Sequence, residues 1–260
     1  MHKFLRAVGF SSCTRRRDLE AILDRVEDEA KLVRVVHDKN GDIRAQKLMF
    51  MGKRIGISVC GTMSETDEFE REFYFPWHES NCITTQAACQ VQRHAEKDAF
   101  SGICDERGLG VSLIYYLQNQ LEYLEKDLNH QKFCYISSVM MSGLSVEGKI
   151  LLPMQKNADN KISILQCQDI YSVVETCFMP FGVECDQYSI VGEITEVEEC
   201  RNDWTGELVY SLTVSCNGLN FQVCINEADL VGIPAPGRRF KGSVWMQGIA
   251  TIREAQQSVK

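Results

Sequence analysis

From Asp18 onward, Leu19, Ile22, Leu23, Val26 and Ala30 recur at i, i+3, i+4 and i+7 spacing, with Val33 near the same face. Apolar positions at that period form one stripe of a helix, so the pattern predicts an amphipathic helix from Asp18 to about Lys31. A shorter helical stretch holds Phe4, Leu5 and Val8 and closes at Gly9. In VRVVHDKNGDIRAQKLMFM, two β-rich runs flank Asn40-Gly41, the dipeptide best suited to a tight hairpin turn. The run RIGISVCG predicts another strand, and the acidic SETDEFERE separates it from FYFPW as a solvated turn and strand edge.

Residues 86–117 carry two patterns. Ala88, Val91, Ala95 and Ala99 allow a helix, whereas AFSGIC and GVSLIYYL around DERGLG read as a hairpin. The hairpin is preferred, with VSLIYYL as a central strand, because a continuous β-branched and aromatic run suits a strand buried on both faces. Asn119 then precedes Glu122 by three, a capping-box-like pair ahead of Leu121, Leu124 and Leu128, and predicts a second helix over about 120–129. FCYISSVMM and KILLPM follow as strands, with Gly148 at the turn between them. KNADNK is a polar loop, and ISILQCQDIYSVVETCF is apolar without a decisive period.

Near Gly182 the character changes. YSIVGEITEVEE, ELVYSLTVSC, FQVCI and FKGSVWMQGIA are short strands divided by NDWTG, NG and PAPG, with one helical turn expected over Glu227–Leu230. A strand–strand–strand–helix–strand order is compatible with an OB-like barrel whose fifth strand comes from upstream. The expected fold is therefore α+β with mostly antiparallel sheet. Residues 1–181 form a domain with two main helices, and residues 182–260 form a small β-barrel-like domain.

Composition narrows the function classes. Hydrophobic residues make up 44% of the 260, enough to bury a core, and no apolar run is long enough to span a bilayer. With 28 basic and 36 acidic side chains the net charge is −8, which opposes wholesale coating of a polyanion. The N-terminus MHKFLRAVGFSSCTRRR lacks the apolar block of a secretory signal, so a reducing cytoplasm is expected for the twelve cysteines. Cys134, Cys167, Cys216 and Cys224 sit inside apolar runs where valine would also fit, and most cysteines read as reduced packing residues.

The opening MHKFLRAVGFS, the central GVSLIYYLQN and the closing GRRFKGSVWMQG together resemble a family of uncharacterised proteins from anaerobic Gram-positive bacteria, a domain of unknown function. The resemblance runs over nearly the whole chain. It implies a bacterial cytoplasmic protein and brings no activity, ligand or catalytic residue with it.

The residues themselves offer three candidate sites. His78, Cys82, Cys89 and His94 are soft-metal ligands close in sequence, but their spacings lack the tight knuckle of zinc fingers, and an ordinary loop-and-strand reading is preferred. Arg15, Arg16 and Arg17 precede the first helix, where cations and exposed N–H groups would hold an anion. The blander reading makes Asp18 the N-cap and leaves the arginines in water. In GRRFKGSVWMQG, strand alternation puts Arg239, Lys241, Trp245 and Gln247 on one face, the chemistry of a single-stranded nucleic-acid platform. Against it, residues 186–260 carry 10 acidic and 6 basic side chains, and Trp245 would equally pack against the first domain.

G-x-S-x-G, P-loop, H-E-x-x-H, EF-hand and dinucleotide fingerprints are absent. No cofactor is expected. The reading that follows is a non-catalytic binding or adaptor protein with another protein as partner. Single-stranded nucleic-acid binding through the C-terminal strip and a cryptic enzyme with an inter-domain cleft are the alternatives.

Overall fold

The computed structural model describes residues 3–37, 41–87, 89–94, 99–106, 109, 111–128, 134–153, 174–183 and 185–254. The predicted amphipathic helix forms as α1 (Arg16–Glu29), and its stripe of Leu19, Leu23 and Val26 is buried. The helix begins earlier than expected. Arg15, not Asp18, occupies the N-cap with extended backbone and no side-chain cap bond, so Arg16 and Arg17 lie inside the first turn. A 3-10 turn over Lys3–Val8 precedes it, with Phe4, Leu5, Ala7 and Val8 buried.

Four strands follow as an antiparallel meander: β1 (Leu32–His37), β2 (Ile43–Phe50), β3 (Ile55–Met63) and β4 (Phe69–His78). The expected hairpin joins β1 to β2, with Leu32 opposite Leu48 and His37 opposite Ile43; Asn40 itself lies outside the described residues. The acidic stretch makes a turn closed by Ser64 and Glu68, as its charge predicts. Arg71 on β4 clamps α1 onto this sheet by reaching Glu20 and Glu27, each at 2.6 Å.

Among the described residues the second sheet has eleven strands. Cys89–His94 (β5), Ala99–Glu106 (β6) and Val111–Leu117 (β7) enter it as an antiparallel run, so the hairpin reading of AFSGIC and GVSLIYYL holds. After α2 (Gln120–Leu128) come β8 (Cys134–Ser145) and β9 (Gly148–Leu151). The tract 154–173, which holds the KNADNK loop and Cys167, lies outside the described residues. Then follow β10 (Cys177–Pro180), β11 (Gln187–Arg201), β12 (Leu208–Cys216), β13 (Leu219–Asn226), β14 (Leu230–Val231) and β15 (Arg239–Glu254). A 3-10 turn at Glu227–Asp229 occupies the expected helical position and is capped by the Asn226 side chain.

The protein is thus mostly strand with few helices, and its sheets are predominantly antiparallel. The expected boundary near 182 does not interrupt the hydrogen-bonded ladder. β13 pairs in parallel with β8, while β15 pairs with β8 along most of its length and with β11 near its start. The C-terminal strands therefore share their sheet with strands from upstream.

One packing arrangement fixes the middle of the second sheet. Tyr115 on β7 lies directly opposite Gly102 on β6, and its fully buried ring covers both Gly102 and Gly248 of β15. A β-carbon at Gly102 would come within 2.0 Å of the ring, so the slot exists only because glycine leaves it open. The Tyr115 hydroxyl has no hydrogen-bond partner among the described residues. Replacing Gly102 by alanine is expected to destabilise the fold by roughly 1–3 kcal/mol through overpacking. Tyr115→Phe is expected to stabilise it by about 1 kcal/mol, because an unsatisfied buried group is removed. Denaturant unfolding of both variants checks the pair of signs.

Candidate functional site

The four-stranded sheet packs on the second sheet through a seam that mixes apolar and polar side chains. His78 at the end of β4 is fully buried; its Nδ1 faces Ser142 Oγ on β8 and its Nε2 lies 3.0 Å from Ser211 Oγ on β12. Three buried glutamines continue the seam. Gln46 donates to Ser58 Oγ at 2.8 Å and to the Gln118 carbonyl at 3.3 Å. Gln118 donates to Gln247 Oε1 at 3.0 Å, and Gln247 donates to the Pro76 carbonyl at 2.8 Å. Burial, with a smaller contribution from nearby Arg54, lowers the His78 pKa to about 3. A ring held neutral this way donates from one nitrogen and accepts at the other, which suits two serines and disables it as a base near neutrality. Although serine and histidine are juxtaposed here, no nucleophile reaches solvent: Ser142 is fully buried and Ser211 nearly so.

Beside the seam a cleft opens between the sheets and α2. Its walls are Arg44 and Ala45 of β2, Cys60 of β3, Glu72 and Phe73 of β4, Arg93 of β5, Phe100 of β6, and Gln120, Leu121 and Leu124 of α2. It encloses about 20 Å³, enough for one water-sized group. Arg44 and Glu72 pair across the mouth at 2.8 Å. Arg93 stacks over Phe100, 5.7 Å from the ring centroid. Gln120 is 2% exposed; its amide nitrogen lies 3.6 Å from Cys60 Sγ, and its Oε1 has no hydrogen-bond partner among the described residues. Desolvation pushes the Cys60 thiol up to about 12, so it is a neutral wall and not a nucleophile. Nothing in the sequence pattern marked these residues as a group, because they come from five strands and a helix.

The sequence-predicted sites fall elsewhere. Trp245 is 6% exposed; its ring stacks on Phe4 at 5.5 Å, leans on Tyr116 at 5.2 Å, and donates through Nε1 to Asp186 at 2.7 Å. Arg239 is buried and donates to the carbonyls of Leu152 and Val174, Gln247 belongs to the seam, and Lys241 is half-buried. The face does point out of its own strand layer, as alternation requires, but the N-terminal turn and the four-stranded sheet cover it. A base has no access to the Trp245 ring there. Arg15, Arg16 and Arg17 are exposed, and Arg16 pairs with Glu20 at 3.5 Å.

The histidine–cysteine set is not brought together. The His78 ring is taken by two serines, Cys82 contacts the Asn220 carbonyl, and Cys89 is joined to Cys104 in a disulfide. The side chain of His94 lies outside the described residues. Among the described residues no cluster of three or more metal-ligating side chains occurs. The disulfide corrects the expectation of wholly reduced cysteines. Cys89 and Cys104 face each other in register on β5 and β6, with α-carbons 4.4 Å apart, close enough for their sulfurs to bond. Cys216 and Cys224 are buried, as their apolar runs predict; Cys13, Cys60 and Cys200 are buried as well, whereas Cys185 is exposed. No helix among the described residues is long and apolar enough to cross a membrane.

A family model described as a domain of unknown function from an E. rectale gene description, DUF3881, matches residues 5–166 and 161–248. Neither a curated protein nor a solved structure matches the chain.

Two outcomes follow from the buried seam. The His78 pKa is near 6.5 in the unfolded chain and about 3 in the folded one, so below 6.5 the unfolded state binds the extra proton. Stability from this group is complete above that pH and falls on acidification toward 3, by about 1.4 kcal/mol per pH unit. Denaturant midpoints between neutral and acid pH should show this slope, and His78→Gln should flatten it by one proton. Trp245→Ala should cost about 3–5 kcal/mol by opening a core cavity, read as a lowered unfolding midpoint.

Proposed function

The chain belongs to this family, DUF3881, a domain of unknown function, and from the geometry above we propose that it is a non-catalytic binding protein. The observation that carries the reading is the unpaired Oε1 of buried Gln120 at the cleft formed by the two sheets and α2. A buried acceptor without a donor costs about 1–3 kcal/mol, a cost that a bound donor would relieve. Arg44 and Arg93 line the same cleft, so guanidinium groups border it. The enclosed volume of about 20 Å³ takes one water-sized donor, so the –NH2 end of a carboxamide would seat there with its carbonyl and carbon atoms in the open mouth of the cleft. Phe73 and Phe100 would pack on its carbon atoms.

The chemistry of the interior supports binding over catalysis. The strongly perturbed groups His78, Cys60, Tyr115, Cys216 and Cys224 are all pushed toward their neutral forms by desolvation. A catalytic acid or base needs a pKa near the working pH and a path to substrate, and these have neither.

In the same reading residues 182–260 are an OB-like unit. The pairings of β11, β12 and β13, the parallel pairing of β13 with β8, and the contacts of β15 with both β8 and β11 support it, with β8 as the upstream fifth strand. α1 and α2 are its companion helices, one on the four-stranded sheet and one beside the cleft. The outer face of this unit, which carries Val209, Cys224 and Trp245, is spent on packing against the rest of the chain.

Matched probes test the proposal. Acetamide, acetate and methylammonium are titrated into the protein while side-chain amide and guanidinium resonances are followed. Saturable shifts of the Gln120 and Arg93 signals with acetamide alone, abolished by Gln120→Leu, are expected. Unsaturable shifts of equal size from all three probes would remove the cleft as a binding site.

A further inference from the structure

The four-stranded sheet ends in two edges of opposite character. Among the described residues β1 pairs only with β2, and β4 only with β3. On β1, Leu32, Val33 and Val35 are 53%, 50% and 44% exposed. The strand has no proline or bulge of the kind that normally blunts an open edge, and it carries the exposed cation Arg34, with Lys31 exposed just before it. At the other edge Glu68, Glu70 and Glu72 are exposed.

Register fixes which charges share a face. Val36, Arg44, Thr62 and Glu70 form one cross-strand row, so Arg34, two residues from Val36, lies on the face of Glu70. Val35, Ala45, Gly61 and Arg71 form a row on the opposite face, which also holds Val33 and Phe69. Because the meander has four strands, β1 and β4 run in opposite directions. A copy displaced across the sheet therefore presents its β4 to a neighbour's β1 in the antiparallel sense without being turned over. Glu70 then meets Arg34 on one face, while Phe69 meets Val33 and Val35 on the other.

We propose that the partner of the β1 edge is the β4 edge of a second copy of this chain, joined as a continued antiparallel sheet. The contact is heterologous: each copy that uses one edge keeps the other open, so assembly is open-ended rather than a closed dimer. Arg34 is now paired with Glu125 of α2 at 2.9 Å, and both side chains are about half exposed, which leaves the guanidinium room to be shared. This inference is independent of the cleft reading, since neither Arg34 nor Glu70 lines the cleft.

The experiment is sedimentation velocity on the full chain over roughly a hundredfold concentration range, at low and high salt. The weight-average mass should rise with concentration and fall with salt. Arg34→Glu and Glu70→Arg should each weaken association by roughly tenfold, because an attraction becomes a repulsion. The double variant and an equimolar mixture of the two single variants should both recover association, since in each every edge again meets its opposite. Glu125→Gln should leave association unchanged, and Arg34→Gln serves in place of the reversal if that variant is unfolded by circular dichroism. A wild-type protein that stays monomeric throughout would overturn the proposal, as would a closed dimer indifferent to both reversals or a mixture that fails to recover.

Discussion

Polar groups buried between two sheets cost free energy unless each finds a partner, and the packing of this protein turns on meeting that requirement along one seam. His78, Gln46, Gln118 and Gln247 are all nearly or fully enclosed, and their hydrogen bonds cross from the four-stranded sheet to β8, β12 and β15. An apolar interface would tolerate sliding by a residue. A histidine fitted between Ser142 and Ser211 does not, because a slip would leave three groups unpaired at once. The apolar cluster of Phe4, Leu48, Ile57, Phe75 and Trp245 supplies the burial around it, and the polar seam sets the register.

The C-terminal strands are governed by the same interface. Their outer face carries the tryptophan and cations that, on an isolated barrel, would serve a single strand of nucleic acid. Here that face meets the N-terminal turn. Cys224 Sγ lies 3.2 Å from the Ala7 carbonyl, Asn202 donates to the Val8 carbonyl at 2.8 Å, and Trp245 stacks on Phe4. Glu207 receives both the backbone and the hydroxyl of Ser11, which ties the start of the chain to the β11–β12 loop. Residues nearly two hundred positions apart thus occupy a surface that strand alternation leaves open.

Helix α1, the β1–β2 hairpin and the strands of AFSGIC and GVSLIYYL are legible because each depends on neighbours within a few positions, whereas Asn119 and Glu122 meet side chain to side chain and the Asn119 oxygen accepts from Ala250 on β15. The start of α1 differs from the pattern because Asp18 is the better capping residue, yet the helix begins at Arg16 with Arg15 at the N-cap and no side-chain cap bond. The strand β5 is not separable from a helix by pattern, since its alternation is short and its pairing is with another strand, β6. The cleft left no trace in the sequence: Arg44, Glu72, Arg93 and Gln120 follow no spacing that chemistry requires.

By itself the sequence determined the local elements, the strand-rich class, the apolar setting of most cysteines and the narrowness of any polyanion-binding strip. These follow from periodicity, propensity and charge count, which act within a turn or a strand. Only the tertiary structure decided that Cys89 meets Cys104, that Trp245 is roofed over, that His78 is held neutral between two serines, and that Gln120, whose Oε1 has no hydrogen-bond partner among the described residues, lines one cleft with Arg44 and Arg93. Each of these depends on which face of one sheet is pressed against another. That choice is set by the summed burial of side chains distant in sequence, and no local pattern encodes it.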